Sequence, residues 1–196
     1  MDIITDDYLS ALSDRVGAAL LSGGLHLAVA ESCTGGWIAQ CITETAGSSA
    51  WFECGFVTYS NDAKQTMLGV PATLLSAYGA VSAEVVASMT EGALERSGAD
   101  WALAVSGIAG PSGGSPEKPV GTVWIAWQRR NEAARVLHFS GSGDRHNIRA
   151  QTVAQALEGL LACLTDPFMA QAPPLSCKRL RHARSAFAGA SKPFVG

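Results

Sequence analysis

Two short stretches of this chain are apolar on nearly every consecutive residue: Leu25-His26-Leu27-Ala28-Val29 and Ala99-Asp100-Trp101-Ala102-Leu103-Ala104-Val105. A strand with one wet face alternates apolar with polar residues, whereas a strand covered on both faces does not. Both stretches therefore read as buried strands, and such strands need helices packed against the sheet. Helical spacing is found around them. Leu9, Leu12, Val16, Ala19 and Leu20 recur as one face of a helix over 5–22. Ile38, Cys41, Ile42 and Thr45 do the same over about 34–45, and Val85, Val86, Met89 and Leu94 follow a capping Ser82.

The remaining segments fit the same alternation. Phe52 to Tyr59 is rich in aromatic and β-branched residues and predicts a strand. Asn61 is placed to cap a helix through Lys64 to Leu68, and Pro71 to start a short one. Gly121–Gln128 and Ala134–Phe139 predict two strands joined by the polar turn Arg129–Glu132, and Asp144–Leu164 predicts a last helix. The class is α/β. Because the last two strands join by a tight turn they pair antiparallel, so the sheet is mixed.

Length and composition predict one domain with a proper core, ending near 166. Residues 167–196 carry five basic and no acidic residues, with several Pro, Ala and Ser, and read as a flexible basic tail. Contact between Lys178-Arg179-Leu180-Arg181 and nucleic acid stays open, although a solvated tail is the commoner case. The acidic start Met1–Asp7 lacks the pattern of a signal peptide, and no apolar stretch is long enough to span a bilayer. The protein is read as cytoplasmic, without a membrane partner. Five cysteines with no CxxC pair, and four scattered histidines, fit neither a disulfide framework nor a zinc site. No metal or cofactor is expected.

Chemistry concentrates after the first buried strand, at Ala30-Glu31-Ser32-Cys33-Thr34-Gly35-Gly36. A strand running into a helix start presents backbone N–H groups, donors for an oxyanion formed beside them. Ser32 needs a base, and the G-x-S-x-G elbow is absent. Lys64 can serve if burial and the helix start destabilise its ammonium, with Tyr59 orienting a proton. The same spacing fits a capping serine and a surface lysine. Cys33 is a rival nucleophile and Glu31 a rival base or a cap for the glycine turn. The loop from Ser106 and Gly107 to Gly121 follows the second buried strand at its carboxyl end, where α/β sheets bind ligands. Arg145 and Arg149, one helical turn apart, can clamp an anion or sit as surface residues.

Seven ordered segments resemble one known family: the heptad at 30–36, Gly47-Ser48-Ser49, Val57 to Lys64, Gly79-Ala80-Val81-Ser82, Ser106 to Pro111, Lys118 to Val123, and Gly143-Asp144-Arg145. Together they are similar to the CinA C-terminal domain family over about 5–165. The resemblance implies a three-layer α/β/α sandwich with a mixed, mostly parallel sheet, and a homodimer. It implies amidohydrolase activity on a small nucleotide substrate, nicotinamide mononucleotide, yielding nicotinate mononucleotide and ammonia in pyridine-nucleotide recycling. It casts Ser32 as nucleophile, Lys64 as base and Tyr59 as assistant. Thr34, Gly35 and Gly36 would hold the oxyanion or amide, and Ser48, Ser106, Gly107 and Arg145 would contact substrate. Ser106 stands where members of the family often have Thr. The competing expectations are a non-enzymatic competence or DNA-damage binding module, and a nucleotide sensor without turnover.

Overall fold

A computed structural model of the chain describes residues 4–165. The predicted basic tail at 167–196 lies outside the described residues. The elements are α1 (Asp6–Gly23), β1 (Leu27–Glu31), α2 (Trp37–Glu44), a 3₁₀ turn at Ser48–Ala50, β2 (Phe52–Val57), α3 (Asn61–Leu68), α4 (Ala72–Tyr78), α5 (Ala83–Glu95), β3 (Trp101–Gly107), β4 (Thr122–Arg129), β5 (Arg135–Ser140) and α6 (Arg145–Thr165). No described helix is long and apolar enough to cross a membrane.

The five strands lie in the order β2-β1-β3-β4-β5. β1 pairs parallel with both β2 and β3, while β4 pairs antiparallel with β3 and with β5. Only β4 runs against the rest, so four strands share a direction although half of the pairings are antiparallel. Residues of β1 and β3 alternate between two cores. Leu27, Val29, Trp101, Leu103 and Val105 face one cluster with α1, α2 and α6. Ala28, Ala30, Ala102 and Ala104 face the other, with α3, α4 and α5. The alanine face lets α5 lie close to the sheet. Gly92 lets α5 lie close to α3, since a Cβ there would stand 1.9 Å from the Leu68 carbonyl oxygen.

Three boundaries differ from the sequence reading. α2 begins at Trp37 rather than 34, because Gly35 and Gly36 take φ of 63° and 98° and form a turn ahead of it. β2 stops at Val57 instead of continuing to Tyr59. Ser60, not Asn61, caps α3, its Oγ accepting from the Ala63 N–H at 3.0 Å. Ser82 caps α5 as expected, accepting from the Val85 N–H at 3.4 Å.

This topology places an opening between β1 and β3. The chain leaves β1 through α2 on one face and reaches β3 through α3, α4 and α5 on the other. Neighbouring strands whose connections depart to opposite faces leave a crevice at their carboxyl ends. Ser32 follows β1 there, its N–H donating to the Val105 carbonyl at 3.1 Å.

Candidate active site

The turn after β1 is built on a buried carboxylate. Glu31 is 1% exposed and accepts from Thr34 Oγ1 at 2.6 Å and from the N–H groups of Gly36, Ile38 and Ala39 at 3.0, 3.0 and 2.8 Å. Charge-assisted bonds of this kind offset the cost of burying the carboxylate, and its charge complements the N-terminus of α2. Glu31 caps the turn and α2 with both of its carboxylate oxygens engaged. The glycine-turn donors that the sequence offered to an oxyanion are spent in the same way. Gly36 N–H and Thr34 Oγ1 serve Glu31, and the Gly35 N–H donates to the Ser32 carbonyl at 3.1 Å. Thr34, Gly35 and Gly36 shape the turn, and these three groups bond within it. The N–H groups left without an acceptor on another described residue are those of Cys33 and Thr34.

Lys64 shares the buried side of α3 with Leu68 four residues on. Its Nζ donates to Ser32 Oγ at 2.9 Å, to the Thr58 carbonyl at 2.7 Å and to the Tyr59 carbonyl at 3.3 Å. Lys64 is 1% exposed, and among the described residues no carboxylate pairs with it. Burial without a counter-charge penalises the ammonium and lowers the lysine pKa to about 8. Two of the amine's hydrogens have carbonyl acceptors. Its third position, a hydrogen when charged and a lone pair when neutral, meets Ser32. A neutral Lys64 in this arrangement would direct its lone pair at the serine hydroxyl without giving up its carbonyl partners.

Cys33 sits beside this pair, 6% exposed, and burial pushes its thiol up to about 12. The thiol stays protonated at neutral pH, which removes the support for Cys33 as nucleophile.

Around the pair is a cleft of about 230 Å³ lined by Ser32, Cys33, Tyr59, Lys64, Ala80, Val81, Ser106, Gly107, Ala109 and Arg145. Arg145, at the first position of α6, donates to the Gly110 carbonyl at 2.8 Å and to the Tyr59 hydroxyl at 3.2 Å. Ser106 is 1% exposed, and its hydroxyl donates to the Ala80 carbonyl at 2.8 Å. At Gly107 a Cβ would stand 2.7 Å from Val123 Cγ2 and 3.2 Å from Cys33 Sγ, so the position has no room for a side chain.

A family model described as the CinA C-terminal domain matches residues 9–164. The chain belongs to the CinA C-terminal domain family. It is 53% identical over 157 residues to the nicotinamide-nucleotide amidohydrolase PncC of Escherichia coli K12, covering 80% of this chain and 95% of that protein. It is 52% identical over 162 residues to the PncC protein of Pseudomonas putida, covering 82% and 99%. The crystal structure of the competence/damage inducible protein CihA from Agrobacterium tumefaciens superposes with a TM-score of 0.78 at 47% identity, covering 85% of this chain and 99% of that one. The α/β architecture expected of the family is the one observed.

Most of the residues marked in the family motifs converge on the cleft: Ser32, Tyr59, Lys64, Ser106, Gly107 and Arg145. Ser48 does not. It opens the 3₁₀ turn before β2, and Trp51 at the end of that turn accepts from the Leu27 N–H at 2.8 Å, at the beginning of β1. The opening lies at the other end of the strands, so within one chain Ser48 is remote from it. Tyr59 meets the Ser32–Lys64 pair with its carbonyl, while its phenol, on a side chain among the more exposed, is bonded to Arg145.

Sequence reasoning missed the contributions of Thr58 and Lys118, and it read Arg149 as an anion clamp or a surface residue. Thr58 supplies the shortest bond to Lys64 through a backbone atom, which no residue type signals. Lys118 donates to the Tyr78 and Val81 carbonyls at 2.7 and 2.8 Å and so holds the segment that brings Ala80 and Val81 to the cleft. Arg149 bonds the carbonyls of Cys33 and Thr34 and not a ligand-facing position.

Proposed function

We propose that this protein hydrolyses the carboxamide of nicotinamide mononucleotide to nicotinate mononucleotide and ammonia, with Ser32 as nucleophile and Lys64 as its base. The observation that carries the proposal is the 2.9 Å contact between Lys64 Nζ and Ser32 Oγ inside the cleft, with the amine buried and unpaired by any described carboxylate. The names of the close relatives supply the substrate class.

The steps follow from the geometry. Neutral Lys64 takes the Ser32 proton as Oγ attacks the carboxamide carbon. The oxyanion meets the amides of Cys33 and Thr34, which have no acceptor on another described residue. The Lys64 ammonium returns the proton to the amide nitrogen, the C–N bond breaks and ammonia leaves, with the acyl group on Ser32. Lys64, neutral again, deprotonates a water that attacks the ester, and the nicotinate product departs. A pKa of about 8 makes roughly a tenth of the lysine neutral at pH 7, about 250 times the fraction of an ordinary lysine. Arg145 at the rim suits the substrate phosphate, and its bond to Tyr59 sets the width of that rim. A homodimeric, cytoplasmic enzyme recycling pyridine nucleotides accords with this reading.

The test is ammonia release from nicotinamide mononucleotide with a chelator present. Wild type is expected to turn over, and Ser32→Ala to be folded and inactive. A wild-type protein that binds the nucleotide without releasing ammonia would be a sensor. One that instead binds DNA with a steep salt dependence would be a binding module.

A further inference from the structure

We infer that Arg149 is a positioning residue for this reaction: it holds the Cys33–Thr34 peptide directly, and the Ser32–Cys33 peptide through the Gly35 N–H, and so orients the Thr34 and Cys33 N–H groups that receive the oxyanion. The inference rests on the hydrolase reading above and deepens it.

It comes from accounting for the hydrogen bonds of the turn after Ser32. The Ser32 carbonyl accepts from the Gly35 N–H at 3.1 Å. The Cys33 carbonyl accepts from Arg149 Nε at 3.2 Å, and the Thr34 carbonyl from Arg149 Nη2. Three successive carbonyls are therefore fixed, two of them by one guanidinium. A trans peptide sets its C=O and N–H in opposite directions. Holding the Ser32 and Cys33 carbonyls thus turns the N–H groups of Cys33 and Thr34 away from those partners, and these are the two amides of the turn without an acceptor on another described residue. Cys33 borders the cleft, and Thr34, the next residue of the turn, is fully buried and does not line it. A cation against the carbonyl of a peptide draws electron density from its amide and strengthens that amide as a donor; for the Cys33 carbonyl it is the Thr34 N–H, and for the Thr34 carbonyl the Gly35 N–H, which itself holds the Ser32 carbonyl.

Arg149 is itself held in place. Its guanidinium lies 5.1 Å from the centre of the Trp37 ring, and His146 packs on the same indole at 5.0 Å. Gly35, with φ of 63°, leaves the space that the guanidinium approaches, since a Cβ there would stand 3.7 Å from Nη2. Arg149 does not border the substrate cleft. It borders a separate groove of about 350 Å³, with Trp37, Gln40 and His146, between α1, α2 and α6. It therefore acts through the turn and not on the substrate, unlike Arg145 one helical turn earlier.

The test labels Ser32 with a fluorophosphonate and follows the adduct by intact mass. In that reaction Ser32 Oγ bonds to phosphorus, fluoride leaves, and the serine proton passes to Lys64. Labelling requires the nucleophile and its oxyanion donors but not the natural substrate. Arg149→Ala is expected to slow labelling, and kcat for nicotinamide mononucleotide, by about tenfold or more, with KM changed less than about threefold. Arg149→Lys keeps the charge but loses the fork, and should fall between the two. A folded Arg149→Ala that labels at the wild-type rate overturns the inference, as does a loss expressed in KM, which would mean contact with substrate. If Arg149→Ala does not fold, Arg149→Lys decides, and wild-type labelling by that variant overturns it. A wild-type protein that neither labels at Ser32 nor releases ammonia removes the hydrolase reading itself, a result distinct from these.

Discussion

Lys64 Nζ and Ser32 Oγ, 32 residues apart in the chain, stand 2.9 Å apart in the fold. The lysine projects from α3 and the serine from the turn after β1, and the amine's other bonds go to carbonyls between β2 and α3. A buried ammonium held this way is poorly compensated, and the pKa of about 8 follows from that.

The rate should therefore follow the neutral amine. We expect kcat/KM to rise with unit slope up to an apparent pKa near 8 and to level off above it. Lys64→Arg, which stays charged throughout, should lose about three orders of magnitude or more in kcat. A pH profile flat from 6 to 9, or an active arginine variant, would remove Lys64 from the base's role.

The same shift makes a prediction about stability. The folded lysine has a pKa of about 8 against an ordinary 10.5. Below about 8 it is charged in both folded and unfolded chains, and the folded state bears the whole burial cost. Between about 8 and 10.5 the unfolded chain binds more protons, so this group's contribution rises with pH. The stability of wild type minus that of Lys64→Met should climb across this window by about 3 kcal/mol. Urea denaturation of both proteins at stepped pH measures the difference, in which the other titrating groups cancel.

Glu31 bonds four donors of the next turn and helix. Glu31→Ala leaves them unpaired in the interior and should cost about 3–5 kcal/mol, roughly 10 °C or more in Tm. Calorimetry checks it. Glu31→Gln should be milder, because it keeps the shape and one acceptor oxygen. Were Glu31 the base, the glutamine variant would be as inactive as Ser32→Ala while melting near wild type.

Cys33 lines the cleft, but its thiol is pushed up to about 12. Cys33→Ala should retain activity within about threefold, and native protein at pH 8 should resist alkylation there. An inactive, folded Cys33→Ala would restore the thiol as nucleophile.

The alternation of apolar runs with helical faces made the α/β class legible, because burial on both faces of a strand leaves a local mark at Leu27–Val29 and Ala102–Val105. The capping role of Ser82 was legible for the same reason: the cap and the helix it serves are neighbours in sequence. The boundary errors lie where side chains override local preference. Glu31 draws the donors of the next turn to itself and delays α2, and Thr58 and Tyr59 leave the strand to present carbonyls to Lys64.

Residue types and motif order, with no coordinates, determined which side chains were candidates and the family they resemble. Only the tertiary structure decided among them. It brought Lys64 to Ser32, assigned Glu31 to capping, left Cys33 protonated and Ser48 remote, and gave Arg149 two carbonyls in place of a ligand. The reason is physical. A side chain's type travels with the sequence, but its charge state and its partners are set by what the fold removes from water and what it places within 3 Å, and those neighbours come from distant parts of the chain.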